Sequence, residues 1–190
     1  MKHISIFLIL ILFLTGCAST HSYTNPGVDF SKYEKIAIIK LDCSINQAVG
    51  QEVSDIVALE FIKKGYIVLE RSQIKAVIDE EVLAMAGLTE LNKKLLQLSG
   101  VNAIVVGSVS RYDCYPSRAP IIYMGMLLGV MNTNTCFASL SLKLLDCKTG
   151  EIIWTANGSH SVQAVGMTPH KVLQNVINTL KKDIPSRMGK

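Results

Sequence analysis

Residues 138–162, ASLSLKLLDCKTGEIIWTANGSHSV, read as two strands joined by a turn. Ala138, Leu140, Leu142 and Leu144 alternate with Ser139, Ser141 and Lys143. That period of two puts one face on a core and the other in solvent. The segment DCKTGE, residues 146–151, supplies the turn, and Ile152–Val162 returns antiparallel with the only tryptophan, Trp154.

Upstream of this hairpin the pattern is different. Ile36–Leu41 is apolar except for Lys40, as expected of a strand covered on both faces and central or parallel in its sheet. Val49, Val53, Ile56, Val57 and Phe61 then recur at helical spacing within Gln47–Lys64, stopped by Gly65. Tyr66–Glu70 is a second short strand. Ser72 caps a helix carrying Ile74, Val77, Ile78, Val82 and Met85, ended by Gly87. Thr89 caps a shorter helix with Leu91, Leu95 and Leu98, closed by Gly100, and Val101–Val109 is a third buried strand. Downstream, Thr168-Pro169 opens a last helix with Leu173, Val176, Ile177, Leu180 and Ile184 inward. The prediction is a single α/β domain, with a mixed sheet of about five strands and helices packed on its faces.

The N-terminus bounds location. Lys2 and His3 precede a run, Ile4–Leu14, that is apolar except for Ser5 and too short for the roughly 20 residues a spanning helix needs, as in a cleaved signal peptide. Leu14-Thr15-Gly16-Cys17 resembles the lipobox of bacterial lipoproteins, in which cleavage precedes the cysteine and lipid is attached to it. An ordinary signal peptide that happens to hold a cysteine is the alternative. Lipid on Cys17 would anchor the domain, and it is the one covalent group expected, with no other cofactor. By the sorting rule of such lipoproteins, Ala18 and Ser19 in place of aspartate point to the outer membrane, with the domain facing the periplasm. The expected organisation is residues 1–16 as signal, 17–34 as lipidated N-terminus and flexible tether, 35–184 as the domain, and 185–190 as a basic tail.

Removing residues 1–16 leaves 174 residues, with 18 Lys plus Arg against 15 acids and a net charge of about +3. That is too weak to argue for nucleic acid. The late basic residues Lys181, Lys182, Arg187 and Lys190 fit a solvated helix end. Cys43, Cys114, Cys136 and Cys147 remain beside Cys17, an even number in an oxidising compartment. Three pairings are possible and free buried thiols stay open; Cys114 and Cys136, which bracket one insertion, are the favoured pair. No spacing fits zinc, and no histidine pair shares a helix face, so no metal site is expected.

Catalytic motifs are absent as well. Gly107-Ser108 lacks the nucleophile-elbow pattern, GMLLG lacks the phosphate-loop lysine, and Asp79-Glu80-Glu81 reads as a solvated helix face. Neither an enzyme nor a small-molecule substrate is expected.

Four stretches taken together resemble the curli-secretion (CsgG/HfaB-like) outer-membrane lipoproteins: KIAIIKL (35–41), GYIVLERSQIKAVIDEE (65–81), SGVNAIVVGSVSRYD (99–113) and LSLKLLDCKTGEIIW (140–154). They run in the family's order over Lys35–Val162; Leu69-Glu70-Arg71 and Lys148-Thr149-Gly150-Glu151 are the most specific parts. The resemblance implies an accessory or assembly component of an envelope secretion system, with envelope partners or self-association. Channel members of the family add two membrane-inserting hairpins. Here YDCYPSRAPIIYMGMLLGVMNTNTCF (112–137) occupies the first position, and the short Gln163–Thr168 loop leaves no room for a second.

Pro120–Met131 within that insertion is almost uniformly apolar, without the alternation of a barrel strand. A loop folded against the domain is expected for residues 115–135. A subunit or partner interface, a bilayer-dipping hairpin and a chance apolar loop stay open. Ile121, Ile122, Tyr123, Met124, Gly125 and Leu128 are the candidate interface or membrane-contact residues. The alternative function is a monomeric binding module, similar to the LpoB-like activators of penicillin-binding proteins. Its tether would be only about 17 residues, at most roughly 55 Å extended, which is short for crossing the periplasm.

Overall fold

The computed structural model describes residues 19–39, 41–69, 96 and 99–188. The signal segment, Cys17 and the helices expected after Ser72 and Thr89 lie outside the described residues, apart from Leu96. The described chain forms a six-stranded mixed sheet in the order β1-β6-β5-β4-β2-β3. Its strands are β1 (Ser19–Thr24), β2 (Lys35–Ile38), β3 (Ile67–Leu69), β4 (Ala103–Tyr123), β5 (Met126–Asp146) and β6 (Ile152–Ala164). β2 runs parallel to β3 and β4, whereas β4, β5, β6 and β1 pair antiparallel in succession.

Helix α1 (Gln47–Lys63) is capped by Asn46, whose side chain accepts from the Ala48 amide at 2.9 Å. It buries Val49, Val53, Val57 and Phe61. Ser54, buried among them, accepts from the Leu41 amide at 2.9 Å and donates to the Gly50 carbonyl at 2.7 Å, so a polar group inside the core is satisfied on both sides. Helix α2 (Pro169–Leu180) starts at the Thr168 cap with proline in its first turn, and buries Val172, Leu173, Val176, Ile177 and Leu180. It lies so close to β6 that a Cβ on Gly158 would come within 2.8 Å of Val176 Cγ1 and 3.0 Å of Leu180 Cγ.

Both helices contribute to one core with Ile36, Ile38, Leu140, Leu142, Leu144 and Trp154. A smaller cluster of Ala37, Ile39, Leu96, Val101, Ile104 and Cys147 gathers Ile104 and the alternate residues of β2. β2 is therefore covered on both faces, as expected of the run Ile36–Leu41, apolar except for Lys40.

The expectation for residues 17–34 is corrected from Ser19 onward. Ser19–Thr24 is an edge strand in register from Ser19 opposite Ser159 to Thr24 opposite Trp154. Residues 30–32 then form a 3-10 turn capped by Asp29, and Val28, Phe30 and Tyr33 pack on the core. Backbone pairing, not side-chain burial, holds β1, because five of its six residues are exposed.

Tyr33 closes this segment onto the late hairpin. Its hydroxyl donates to Asp146 Oδ2 at 2.8 Å, while Asp146 Oδ1 accepts from the Lys148 and Thr149 amides and shapes the turn. Desolvation, then the bond to Asp146, pushes the Tyr33 pKa up to about 12. A phenol raised above its unfolded value near 10 contributes stability present in full below pH 10 and lost as pH rises through 12. Tyr33→Phe is therefore expected to lower the urea midpoint at pH 9, and the gap to wild type to narrow by pH 12. A gap constant across that range would refute the linkage.

Candidate functional site: an apolar ribbon beyond the sheet

β6 ends opposite Asn134, but β4 and β5 stay paired to Tyr123 and Met126. Past the Ser117–Thr133 pair the two strands continue alone as a ribbon. Met124 and Gly125 join them, with φ of 49° and 81°, a two-residue turn with both centres left-handed. Asn-Gly or Gly-Gly makes such turns without strain; a methionine there carries a conformational cost of about 1–3 kcal/mol. It is also 84% exposed.

The expected loop folded against the domain is thus replaced by a projecting hairpin. By register, Ala119, Ile121 and Tyr123 share one face with Met131, Gly129 and Met126. Pro120 and Ile122 share the other with Val130 and Leu127, and a register shift at Ile121/Ile122 leaves Leu128 as the extra residue. Both faces are apolar and open: Ile122 is 65% and Leu127 66% exposed. Alternation is missing from the sequence because neither face meets a core. All six candidate contact residues, Ile121, Ile122, Tyr123, Met124, Gly125 and Leu128, fall on this ribbon. Met126, Leu127, Val130 and Met131 belong to the same surface; strand pairing brings them there, and their membership of one apolar run was the available signal.

The root of the ribbon is braced. Cys114 and Cys136 face each other in register with Cα atoms 4.1 Å apart and are joined in a disulfide. Closing a 22-residue separation is worth about 3 kcal/mol in the chain-entropy picture. On the opposite face Ser117, Thr133 and Thr135 exchange hydroxyl bonds of 2.9 Å, and Gln163 donates to Thr133 at 3.1 Å and to the Arg118 carbonyl at 3.3 Å. The Arg111 guanidinium lies 4.5 Å from the Phe137 ring centre, with Tyr115 tilted against that ring and bonded to Asp113. The ribbon therefore leaves the domain from a stiff base.

Groups that do chemistry are scattered. His21 is on β1, His160 is buried on β6, and His170 on α2 stands 3.7 Å from Glu52. Among the described residues no three metal-ligating side chains converge. Cys43 and Cys147 are buried, and burial pushes the Cys147 thiol up to about 12, unsuited to nucleophilic work. A cavity of about 460 Å³ at the ribbon's root is lined by Ser117, Arg118, Asn132, Thr133 and Asn134, without a pair of titratable groups. The molecule is a mixed α/β domain that carries an exposed apolar ribbon.

The model of the family described as "Curli production assembly/transport component CsgG" matches residues 28–172, most of the chain, and the protein belongs to that family. No curated protein matches the sequence. Among solved structures, the fold is similar to the PelC dodecamer from Paraburkholderia phytofirmans, with TM-score 0.54 and 11% identity over 90% of this chain and 100% of that one. Weaker likenesses are lipoprotein GNA1162 from Neisseria meningitidis (TM-score 0.47, 18% identity, 80% and 97% covered) and the LpoB C-terminal domain from Salmonella enterica (0.43, 14%, 70% and 85%). At these identities the likeness is one of fold.

Proposed function

We propose that this protein is a non-enzymatic accessory or assembly component of an envelope secretion system, held by lipid on Cys17 to the periplasmic side of the outer membrane and working as an oligomer. Membership of an assembly and transport family is the observation that carries this reading. The open apolar ribbon agrees with it, since contiguous exposed apolar surface of this kind marks a contact site. The PelC structure of similar fold is a dodecamer, which supports a reading of self-association.

The alternative, a module that reaches across the periplasm to a cell-wall synthase, loses its tether. Ser19 is already in the sheet, so Cys17 stands only two residues from a folded element, a reach of about 7 Å.

The test is native mass in mild detergent for the lipidated protein, beside a soluble Cys17→Ala form without its signal. A large defined oligomer is expected. Met124→Asp combined with Leu128→Asp tests whether the ribbon holds it together, with dispersal to monomers expected. A monomer in every form would overturn the assembly reading.

A further inference from the structure

We propose that the outer edge of β1 pairs with itself: two copies of this chain join there as antiparallel strands centred on Ser22, and one sheet continues into the other. The inference goes beyond the assembly reading and uses neither the ribbon nor lipid on Cys17.

One bond fixes which backbone groups face outward. The Asn25 amide donates to the Ile153 carbonyl at 3.0 Å, continuing the register in which Thr24 lies opposite Trp154. Antiparallel pairs alternate between those that exchange both backbone bonds and those that exchange none. Ser19, His21 and Tyr23 therefore turn their N–H and C=O groups to β6, and Thr20, Ser22 and Thr24 turn theirs away from the sheet. Among the described residues no hydrogen bond reaches those outward groups.

Sheet edges are ordinarily blunted by a proline, a charged side chain, a bulge or a covering element. The strand STHSYT contains neither proline nor a lysine, arginine or acid, and its register with β6 is unbroken. Ser22 and Thr24 lie on the face that carries α2, opposite the buried Ala156 and Trp154, yet both are exposed. The helix does not reach over this edge.

Register names the occupant. With Ser22 opposite Ser22 of a second copy, Thr20 falls opposite that copy's Thr24 and Thr24 opposite its Thr20. Every outward residue then meets an outward residue, and each of these pairs exchanges two backbone bonds. The side chains agree with this register. On the face away from α2, His21 falls opposite the second copy's Tyr23, in the closer kind of pair with Cα atoms about 4.5 Å apart. Two-fold symmetry repeats that aromatic contact and covers part of a Tyr23 that is 61% exposed. On the α2 face hydroxyls meet hydroxyls, and no like charges oppose each other. A foreign strand would have to match this pattern by accident, whereas a second copy matches it by symmetry. A six-residue edge buries less than the roughly 800 Å² per partner of a standard interface. The pairing is therefore weak in dilute solution and fills where copies are concentrated.

The experiment uses the mature chain with Cys17→Ser, and with Met124→Asp and Leu128→Asp so that the ribbon takes no part. His21→Cys is placed in one preparation and Tyr23→Cys in another, and the two are mixed at millimolar concentration under mild oxidation. Cys43 and Cys147 are buried and give a constant background. Facing Cα atoms about 4.5 Å apart are within disulfide reach, whereas two copies of the same variant meet only on the diagonal, about 7–8 Å apart. The expected result is a mixed covalent dimer at least about tenfold above either preparation alone. Ser22→Pro in both chains should remove it at unchanged circular dichroism, because an outward N–H on an edge strand can be lost without breaking the ladder. Ser22→Lys, which sets like charges opposite each other and leaves the backbone intact, should do the same. A mixed dimer no more abundant than the single-variant background would overturn the proposal, as would one that survives both substitutions. Failure here leaves assembly through the ribbon untouched, since that is read from the chain with Met124 and Leu128 intact.

Discussion

Trp154→Ala should lose about 3–5 kcal/mol of folding stability, read as a fall in the urea midpoint followed by circular dichroism. Against a typical total of 5–15 kcal/mol, that brings the domain close to unfolding. The residue is fully buried, stands edge-on to Phe61 at 6.1 Å, and is paired in register with Leu144 on β5 and Thr24 on β1. Its ring thus ties α1, through Phe61, to the strand that carries the N-terminal edge. Its indole N–H is buried without a hydrogen-bond partner, which itself costs about 1–3 kcal/mol. Trp154→Phe gives up ring area but also removes that orphan donor, so its loss should stay below about 2 kcal/mol. A ranking with alanine far below phenylalanine checks the account. An alanine variant within about 1 kcal/mol of wild type would show that the site relaxes in a way the packing forbids.

What could be read from the sequence follows from which residues meet a core. In the α1 stripe Val49, Val53, Val57 and Phe61 are buried and Ile56 is half-buried, while the alternation from Ala138 to Leu144 and the α2 stripe from Leu173 to Leu180 are buried where their periods place them. Those elements have one dry face and one wet face, and the period records the difference. β1 has no such record. Its residues Ser-Thr-His-Ser-Tyr-Thr are held by the backbone of β6 with side chains in solvent, so composition suggested a tether. The ribbon fails in the opposite way: with both faces apolar, nothing alternates. Its turn is equally silent, because Met124-Gly125 replaces the Asn-Gly that would announce a two-residue hairpin. The candidate contact residues were still legible as a group, because an uncovered apolar run is conspicuous whatever its secondary structure. The bracketing cysteines were legible for a related reason: an insertion that leaves the sheet and returns antiparallel brings its two ends together.

Cys17→Ala, expressed behind an ordinary cleavable signal, should move the protein from the membrane fraction to the soluble fraction, with the bound-to-free ratio falling at least about 100-fold. A single fourteen-carbon chain binds a bilayer with a constant of only about 10⁴ M⁻¹, and stable anchoring takes a second chain or another membrane contact. Without any chain, that anchoring is lost. Position matters as much as attachment here, because Ser19 is already paired with Ser159. A 20-residue Gly-Ser spacer between Cys17 and Ser19 has a typical span of about 25 Å, enough to let the domain stand off or turn over while it stays anchored. That spacer variant should remain in the membrane fraction at the wild-type level. If Cys17→Ala stayed membrane-bound at the wild-type level, the anchor would lie elsewhere, and the short reach from Cys17 would no longer set how the domain faces the bilayer.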